Sequence, residues 1–378
     1  MQFIGLRAGW PQRLILLPAA LALLYAFAPA YEYPPPAPFR GTLWHSPYPA
    51  GPLVWQAGNF HAHAKSWLGA TAGDDTPEAM LDAYAALGIR AAVISDYEHI
   101  TRAPRGHLDL PTYEHGWNVR KTHQLVIGAS HVRWFDIPLW QDRDSKQAML
   151  DALHEDGALV AIVHPYLRDG YNAEDMLRLT GYDLLEIRSH YGDATAHWDR
   201  ALSSGHLVYA LGNDDSHRIA GEGQFGATWT MLNIAGVSPA AVVAALRDGR
   251  SYVVKGHRGR SDVRLESLRV IADTVSVVWT APVLETRFIG DDGATLSRVA
   301  QTSTASFVIP VTQSYLRVEA STATDTVYLN PVIRWNGRSI PSTHARADSQ
   351  LTLIRRLSSV LAIILLGSFA FYRKAQVR

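Results

Sequence analysis

Residues 144–165 read DSKQAMLDALHEDGALVAIVHP, a helical pattern that runs through a glycine into a near-continuous apolar strand stopping at His164. The same unit recurs along the chain: AEDMLRLTG precedes DLLEIRS, TAHWDRALSSG precedes HLVYALG, and SPAAVVAALRDG feeds RSYVVKG. Earlier, Thr76 is placed to cap a helix with Pro77 at its first position, and Gly88 to end it before RAAVIS. Helix and strand alternating from Trp55 to about Gly256, with strands apolar throughout, predict a parallel sheet covered by helices, either barrel or open. In such folds the chemistry collects where strands end.

Residues able to bind metals sit at those ends. They are His61 and His63 in GNFHAHAKSW, Asp96 after AAVIS, His164 after ALVAIV, Glu186 within DLLEIRS, and Asp215 and His217 after LVYALGN. In an extended chain residues i and i+2 face the same way, so His61 and His63 aim two imidazoles at one point. An isolated HxH is more often a pair of surface histidines. A series of ligand-type residues ending strand after strand points to a site instead.

The 378 residues carry 35 Lys plus Arg against 35 Asp plus Glu, a formal charge of zero, which argues against the basic field that nucleic-acid binding needs. No cysteine is present, which excludes disulfides, thiolate catalysis and Cys-type zinc sites and leaves His, Asp and Glu as ligands. After about Arg260 the pattern changes to alternating β segments such as TVSVVWT and SYLRVEAST, which suit a small β-sandwich without a ligand cluster.

The ends differ from the middle. Leu14–Ala30, LILLPAALALLYAFAPA, follows Arg7 and Arg13 and fits a membrane anchor or a cleaved signal peptide, although at roughly 1.5 Å per residue it spans only about 25 Å. Leu357–Tyr372, LSSVLAIILLGSFAFY, precedes Arg373, Lys374 and Arg378 and fits a transmembrane helix. Basic tails at both ends predict an inner-membrane protein with its main part facing the periplasm or the extracellular side. The expected division is a membrane anchor or signal peptide over 1–30, a Pro-rich linker over 31–54, the metal-binding unit over 55–257, the β-sandwich over 258–347 and a transmembrane helix with basic tail over 348–378.

The ordered set HAH, SDYEHI, LPTYEHG, KTHQLVIGA, VAIVHP and GNDDSH resembles the PHP (polymerase and histidinol phosphatase) superfamily of metallohydrolases, in particular the branch of CehA/McbA-type carbamate and ester hydrolases. The resemblance covers roughly residues 58–256. It implies a distorted (β/α)7 barrel with two or three divalent ions, zinc, manganese or iron, at the strand ends. It also implies that His61, His63 and Asp215 hold a first metal, that Glu114 bridges, and that His123 and His164 complete a second. His217 belongs to a third site whose other histidine is replaced here by Tyr97, with His99, Asp74 or Asp75 as substitutes.

On that resemblance Glu114, Asp215 and His217 are the catalytic candidates, and the expected reaction is hydrolysis of a small-molecule substrate, by default a phosphoester, by a metal-activated water. A carbamate or carboxylic ester hydrolase and a metal-retaining binding or sensory module are the alternatives. Asp96 and Asp214 are candidates to orient the imidazoles. His115, His131 and His190 read as satisfied polar residues. Among Arg188, Arg218, Lys65 and Lys121, one or two cations are expected beside an anionic substrate.

Overall fold

The computed structural model describes residues 25–376 apart from 27, 70–72, 155–156, 221–223, 339 and 341–343. In chain order its elements are β1 (Ala30–Glu32), β2 (Leu43–His45), β3 (Trp55–Asn59), α1 (Pro77–Ala86), β4 (Ala91–Ala92), β5 (Thr112–His115), β6 (His123–Ile127), α2 (Arg143–His154) and β7 (Leu159–Val163). There follow α3 (Ala173–Arg178), β8 (Leu184–Ser189), β9 (Gly192–Asp193), α4 (Thr195–Ser203), β10 (Tyr209–Gly212), β11 (Thr228–Asn233), α5 (Pro239–Arg247) and β12 (Ser251–Lys255). The last part holds β13 (Leu265–Ile271), β14 (Thr274–Ile289), β15 (Thr295–Val308), β16 (Tyr315–Ser321), β17 (Thr326–Leu329), β18 (Val332–Trp335), β19 (Arg346–Asp348) and α6 (Ser349–Gln376).

The helix signals act as their chemistry dictates. Thr76 Oγ1 accepts from Ala79 N (3.2 Å) with Pro77 opening α1, and Ser238 Oγ accepts from Ala241 N with Pro239 opening α5. Gly88 follows α1 with φ +82°, a conformation that glycine adopts without strain. Buried Met80, Leu81 and Tyr84 face α1 inward.

The strands do not close into a barrel, which corrects the expected (β/α)7 architecture. They form a six-stranded sheet, β10-β8-β7-β6-β5 with β9 on β8, and an eleven-stranded sheet whose main path is β13-β14-β16-β17-β12-β11-β3-β4. Among the described strands β3–β4, β7–β8 and β8–β10 pair in parallel, with isolated parallel bridges at Ala62–Ser216 and Tyr97–Glu114; β5–β6, β6–β7, β3–β11 and β11–β12 are antiparallel. The physical reason is clearest at β5–β6, whose link, residues 116–122, is too short for a parallel crossover of a dozen residues or more.

Nor is the C-terminal part a separate sandwich. Strand β17 pairs antiparallel with β12, Tyr252 opposite Leu329, so the last strands extend the sheet that begins at β3. The core is shared accordingly: Met80, Leu81 and Tyr84 of α1 belong to one apolar cluster with Val275, Trp279 and Leu316. Strand, at 34%, exceeds helix at 23%, against the helix-rich layers that a β/α barrel requires.

The membrane expectations are also corrected. Among the described residues no helix is long and apolar enough to cross a membrane, which leaves the transmembrane helix, the inner-membrane location and the periplasm-facing orientation without support. Helix α6 starts at Ser349 and carries Arg355 and Arg356 inside it. Arg355 pairs with Asp142 (2.8 Å) and Asp144 (3.1 Å) of the α2 region, and Arg356 Nε donates to Ala26 O, which ties its first turns to the folded body. Residues 14–24 of the N-terminal apolar segment lie outside the described residues.

Candidate metal centre

The HAH segment continues β3 between two other segments of the chain, residues 95–96 and 216. His63 N donates to Ser216 O (2.9 Å), Ser95 N donates to Ala62 O (2.8 Å), and Ala64 N donates to Asp96 Oδ1 (2.9 Å). This pins the alternation that the sequence implied: Ala62 and Ala64 are buried in the core, and His61 and His63 share the other face. Phe60 N donates to Asn213 Oδ1 (2.7 Å), which draws the 213–217 loop alongside.

Glu114 arrives on β5, all four of whose residues are buried, and His123 opens β6 beside it. Gly116 between them has φ +115°, and a Cβ there would meet Thr122 O at 2.7 Å and the His123 ring at 2.9 Å, so glycine permits the close return. His164 directly follows β7 with φ +29° and Asp215 follows β10 with φ +49°. Two non-glycine residues in the left-handed region are thus held at the site, a pattern of strain found at functional centres.

All seven sequence-predicted ligands meet here. They fall into overlapping groups His61–His63–Glu114, His61–His164–Asp215, His63–Asp215–His217 and Glu114–His123–His164, with the donor atoms of each within 4.8 Å of one another. His61 Nε2 lies 3.5 Å from Glu114 Oε2 and 3.2 Å from Asp215 Oδ1; His63 Nε2 lies 3.0 and 3.3 Å from the same two oxygens. For bonds of about 2.1 Å the edge of a coordination polyhedron is about 3.0 Å if octahedral and about 3.4 Å if tetrahedral. The four atoms match those edges. All four are buried without a hydrogen bond, an arrangement too costly for an ordinary core and suited to a shared cation. The buried His, Glu and Asp groups can therefore hold metal ions.

Glu114 faces two ways. Its Oε2 looks toward His61 and His63, whereas Oε1 lies 2.6 Å from His123 Nδ1 and 3.2 Å from His164 Nε2. His217 is the rim member, 22% exposed, with Nδ1 donating to Asp215 O (3.1 Å) and its ring 4.5 Å from that of His63.

The charges are strongly coupled. Burial alone would raise the Glu114 carboxyl, but the His123 and His61 imidazoles and the hydrogen bonds of His123 and His164 hold it well below the usual carboxylate range. Asp215 is likewise held down against burial, by His61 and His63. Burial opposes a charge on His63, yet Asp215 and Glu114 raise it to about 9, and His61 is raised by Asp215, Glu186 and Glu114. His123 goes the other way, lowered by burial, by His164 and by Lys121 despite Glu114.

The supporting residues differ from those expected. Asp96 is used by Ala64 N and Thr101 Oγ1, and Asp214 by Asn59, Tyr84 and Gly226, so neither carboxylate orients an imidazole. Asp214 is pushed up to about 6 by burial. Glu186 performs the orienting role: Oε1 accepts from His61 Nδ1 (3.0 Å) and Asn213 Nδ2 (2.9 Å), and Oε2 accepts from His164 N (3.0 Å). With Nδ1–H given to Glu186, the neutral form of His61 has its Nε2 lone pair free for a cation shared with Glu114 and Asp215. Glu186 lies buried on β8 among Leu184, Leu185 and Ile187, a placement that marks an inward carboxylate without saying which imidazole it meets.

Tyr97 stands where the resemblance expects a histidine, stacked on the His63 ring (4.5 Å, 17°) and edge-on to His123. None of the suggested substitutes joins the cluster: His99 is exposed and bonded to Thr101, Asp75 accepts from Ile219 N, and Asp74 is exposed. His115 Nδ1 is bonded to Glu98 while its buried Nε2 has no hydrogen-bond partner, and His190 is bonded to Asp214 O. Outward of Tyr97, Trp67 donates Nε1 to Tyr97 O and meets Trp134 edge-on at 5.7 Å, giving the site an aromatic shoulder. No protein-family model and no curated protein matches the chain, and neither comparison identifies it as a PHP superfamily member.

Proposed function

We propose that the chain is a metal-dependent hydrolase of phosphoesters, of the kind the PHP resemblance implies. The observation that carries this reading is the convergence of unpartnered His61 Nε2, His63 Nε2, Glu114 Oε2 and Asp215 Oδ1 at polyhedron-edge spacings. His61, His63 and Asp215 would hold one ion, His123 and His164 a second, and Glu114 would serve both. Divalent ions, zinc, manganese or iron, supply Lewis acidity toward water and substrate oxygen when bound.

The chain's own residues do the rest. Glu186 fixes the tautomer and direction of His61, and Asn213 holds Glu186. Glu114 and Asp215 provide the negative charge that lets cations sit close together. Tyr97 covers one face of His63, and half-buried His217 marks the side open to a small substrate. Buried titratable groups with strongly shifted pKa values cluster at functional sites.

The test is a substrate panel of phosphomonoesters, phosphodiesters, carboxylic esters and carbamates, run on the full chain loaded with zinc or manganese and on Glu114→Gln. Phosphoester turnover lost in the variant supports the reading. Turnover confined to carbamates or carboxylic esters reassigns the substrate within the same site. Bound metal with no turnover across the panel replaces the hydrolase by a metal-retaining binding module.

A further inference from the structure

Of the four cations that the sequence offered for an anionic substrate, Arg188 is engaged, donating to Asp193 at 2.6 Å and lying over Tyr328. Lys65 and Arg218 are exposed. Lys121 differs. Its ammonium lies 5.5 Å from the centroid of Tyr97, the ring stacked on His63, and among the described residues no carboxylate pairs with it.

Its backbone is built to hold it there. Lys121 has φ +60°, a conformation in which glycine would be less strained. Buried Asn118 closes the turn around it: its Oδ1 accepts from Thr122 N (2.9 Å), its Nδ2 donates to Thr122 O (3.0 Å) and to Asp136 Oδ2, and Asn118 O accepts from Lys121 N. On the other side Gly170 lies so close that a Cβ would meet Lys121 O at 2.7 Å. A long cationic side chain is thus kept at a strained position, half-buried, over an aromatic ring of the metal centre, with no counter-charge.

We propose that Lys121 is the anion-binding residue of the site, its ammonium taking a non-reacting oxygen of a phosphoryl group whose reacting end would meet the ions that the His, Glu and Asp ligands would hold. The proposal deepens the hydrolase reading and rests on it for the position of the substrate. A lysine meets phosphate as a point charge with three donors, and the Tyr97 ring face steadies it between ligands.

Inorganic phosphate is the probe, titrated by calorimetry into the full chain, into Lys121→Met, which keeps the stem and removes the charge, and into Lys121→Arg. Metal content and thermal midpoint are measured on each protein. The expected result is a phosphate Kd raised tenfold or more in Lys121→Met and largely recovered in Lys121→Arg, with metal content and midpoint as in the parent. A parent that does not bind phosphate, or a Lys121→Met variant that binds it as tightly, overturns the proposal. A chain that takes up no metal sinks the hydrolase reading separately. Phosphate affinity lost in Lys121→Met even then would still support the anion site.

Discussion

Glu114 is the residue on which the centre turns, because its two oxygens face different imidazole groups. Glu114→Gln keeps the volume and removes the charge, so at least one ion per chain should be lost by elemental analysis; full retention would contradict the bridging assignment. Glu186 acts one step out. Glu186→Gln should weaken metal affinity by about 10- to 100-fold without abolishing it, read by chelator competition. The imidazoles also set a pH dependence. Without metal, His63 keeps its proton up to about pH 9, whereas a ligand imidazole must be neutral. Protons and metal compete below that value, so affinity should rise from pH 6 to about pH 9 and then flatten. Calorimetry at pH 7 in two buffers of different ionisation enthalpy should show net proton release; none would mean that His63 is not displaced. At this scale the sequence was informative: the seven residues read as ligands do come together, although Glu114 lies within β5 and His123 at the start of β6 rather than at a strand's carboxyl end. Glu186 as the orienter was not legible, since nothing in LLEIRS says which imidazole its carboxylate will meet.

Among the elements, local signals carried well and pairing did not. Thr76, Pro77 and Gly88 delimit α1 because capping and left-handed backbone are properties of single residues. Strand direction is a property of two segments at once, and the helix–strand rhythm does not encode it. Helix α2 lies between β6 and β7, yet those strands run antiparallel. The tie between α4 and β16 was also invisible in the sequence. Arg317 Nε and Nη2 donate to the two oxygens of Asp199 (2.6 and 2.7 Å), Tyr315 OH donates to Asp199 Oδ1 (2.9 Å), and Arg317 also meets Glu319, all of them buried. Asp199→Ala leaves a buried guanidinium short of its partner and should cost about 3–5 kcal/mol in urea unfolding. A loss under about 1 kcal/mol would show the pair to be solvated.

For the whole molecule, one sheet runs from β4 through β3, β11, β12 and β17 to β13, so the metal-binding half and the β-rich half are built as a continuum. A chain truncated after Gly256 would bare the edge of β12 and the apolar cluster that α1 shares with Trp279. It should fail to fold cooperatively, as a single melting transition of the full chain against none in the fragment would show. The sequence suggested a barrel plus a sandwich because its change of pattern near Arg260 is real, but a change of pattern need not be a break in hydrogen bonding. The central claim is that His61 and His63 open a buried centre for divalent ions. Its most direct test is elemental analysis of the full chain beside the His61→Ala, His63→Ala double variant. Two ions per chain, falling to one or fewer in the variant, is the result this account predicts. No bound metal after reconstitution with zinc or manganese would contradict it.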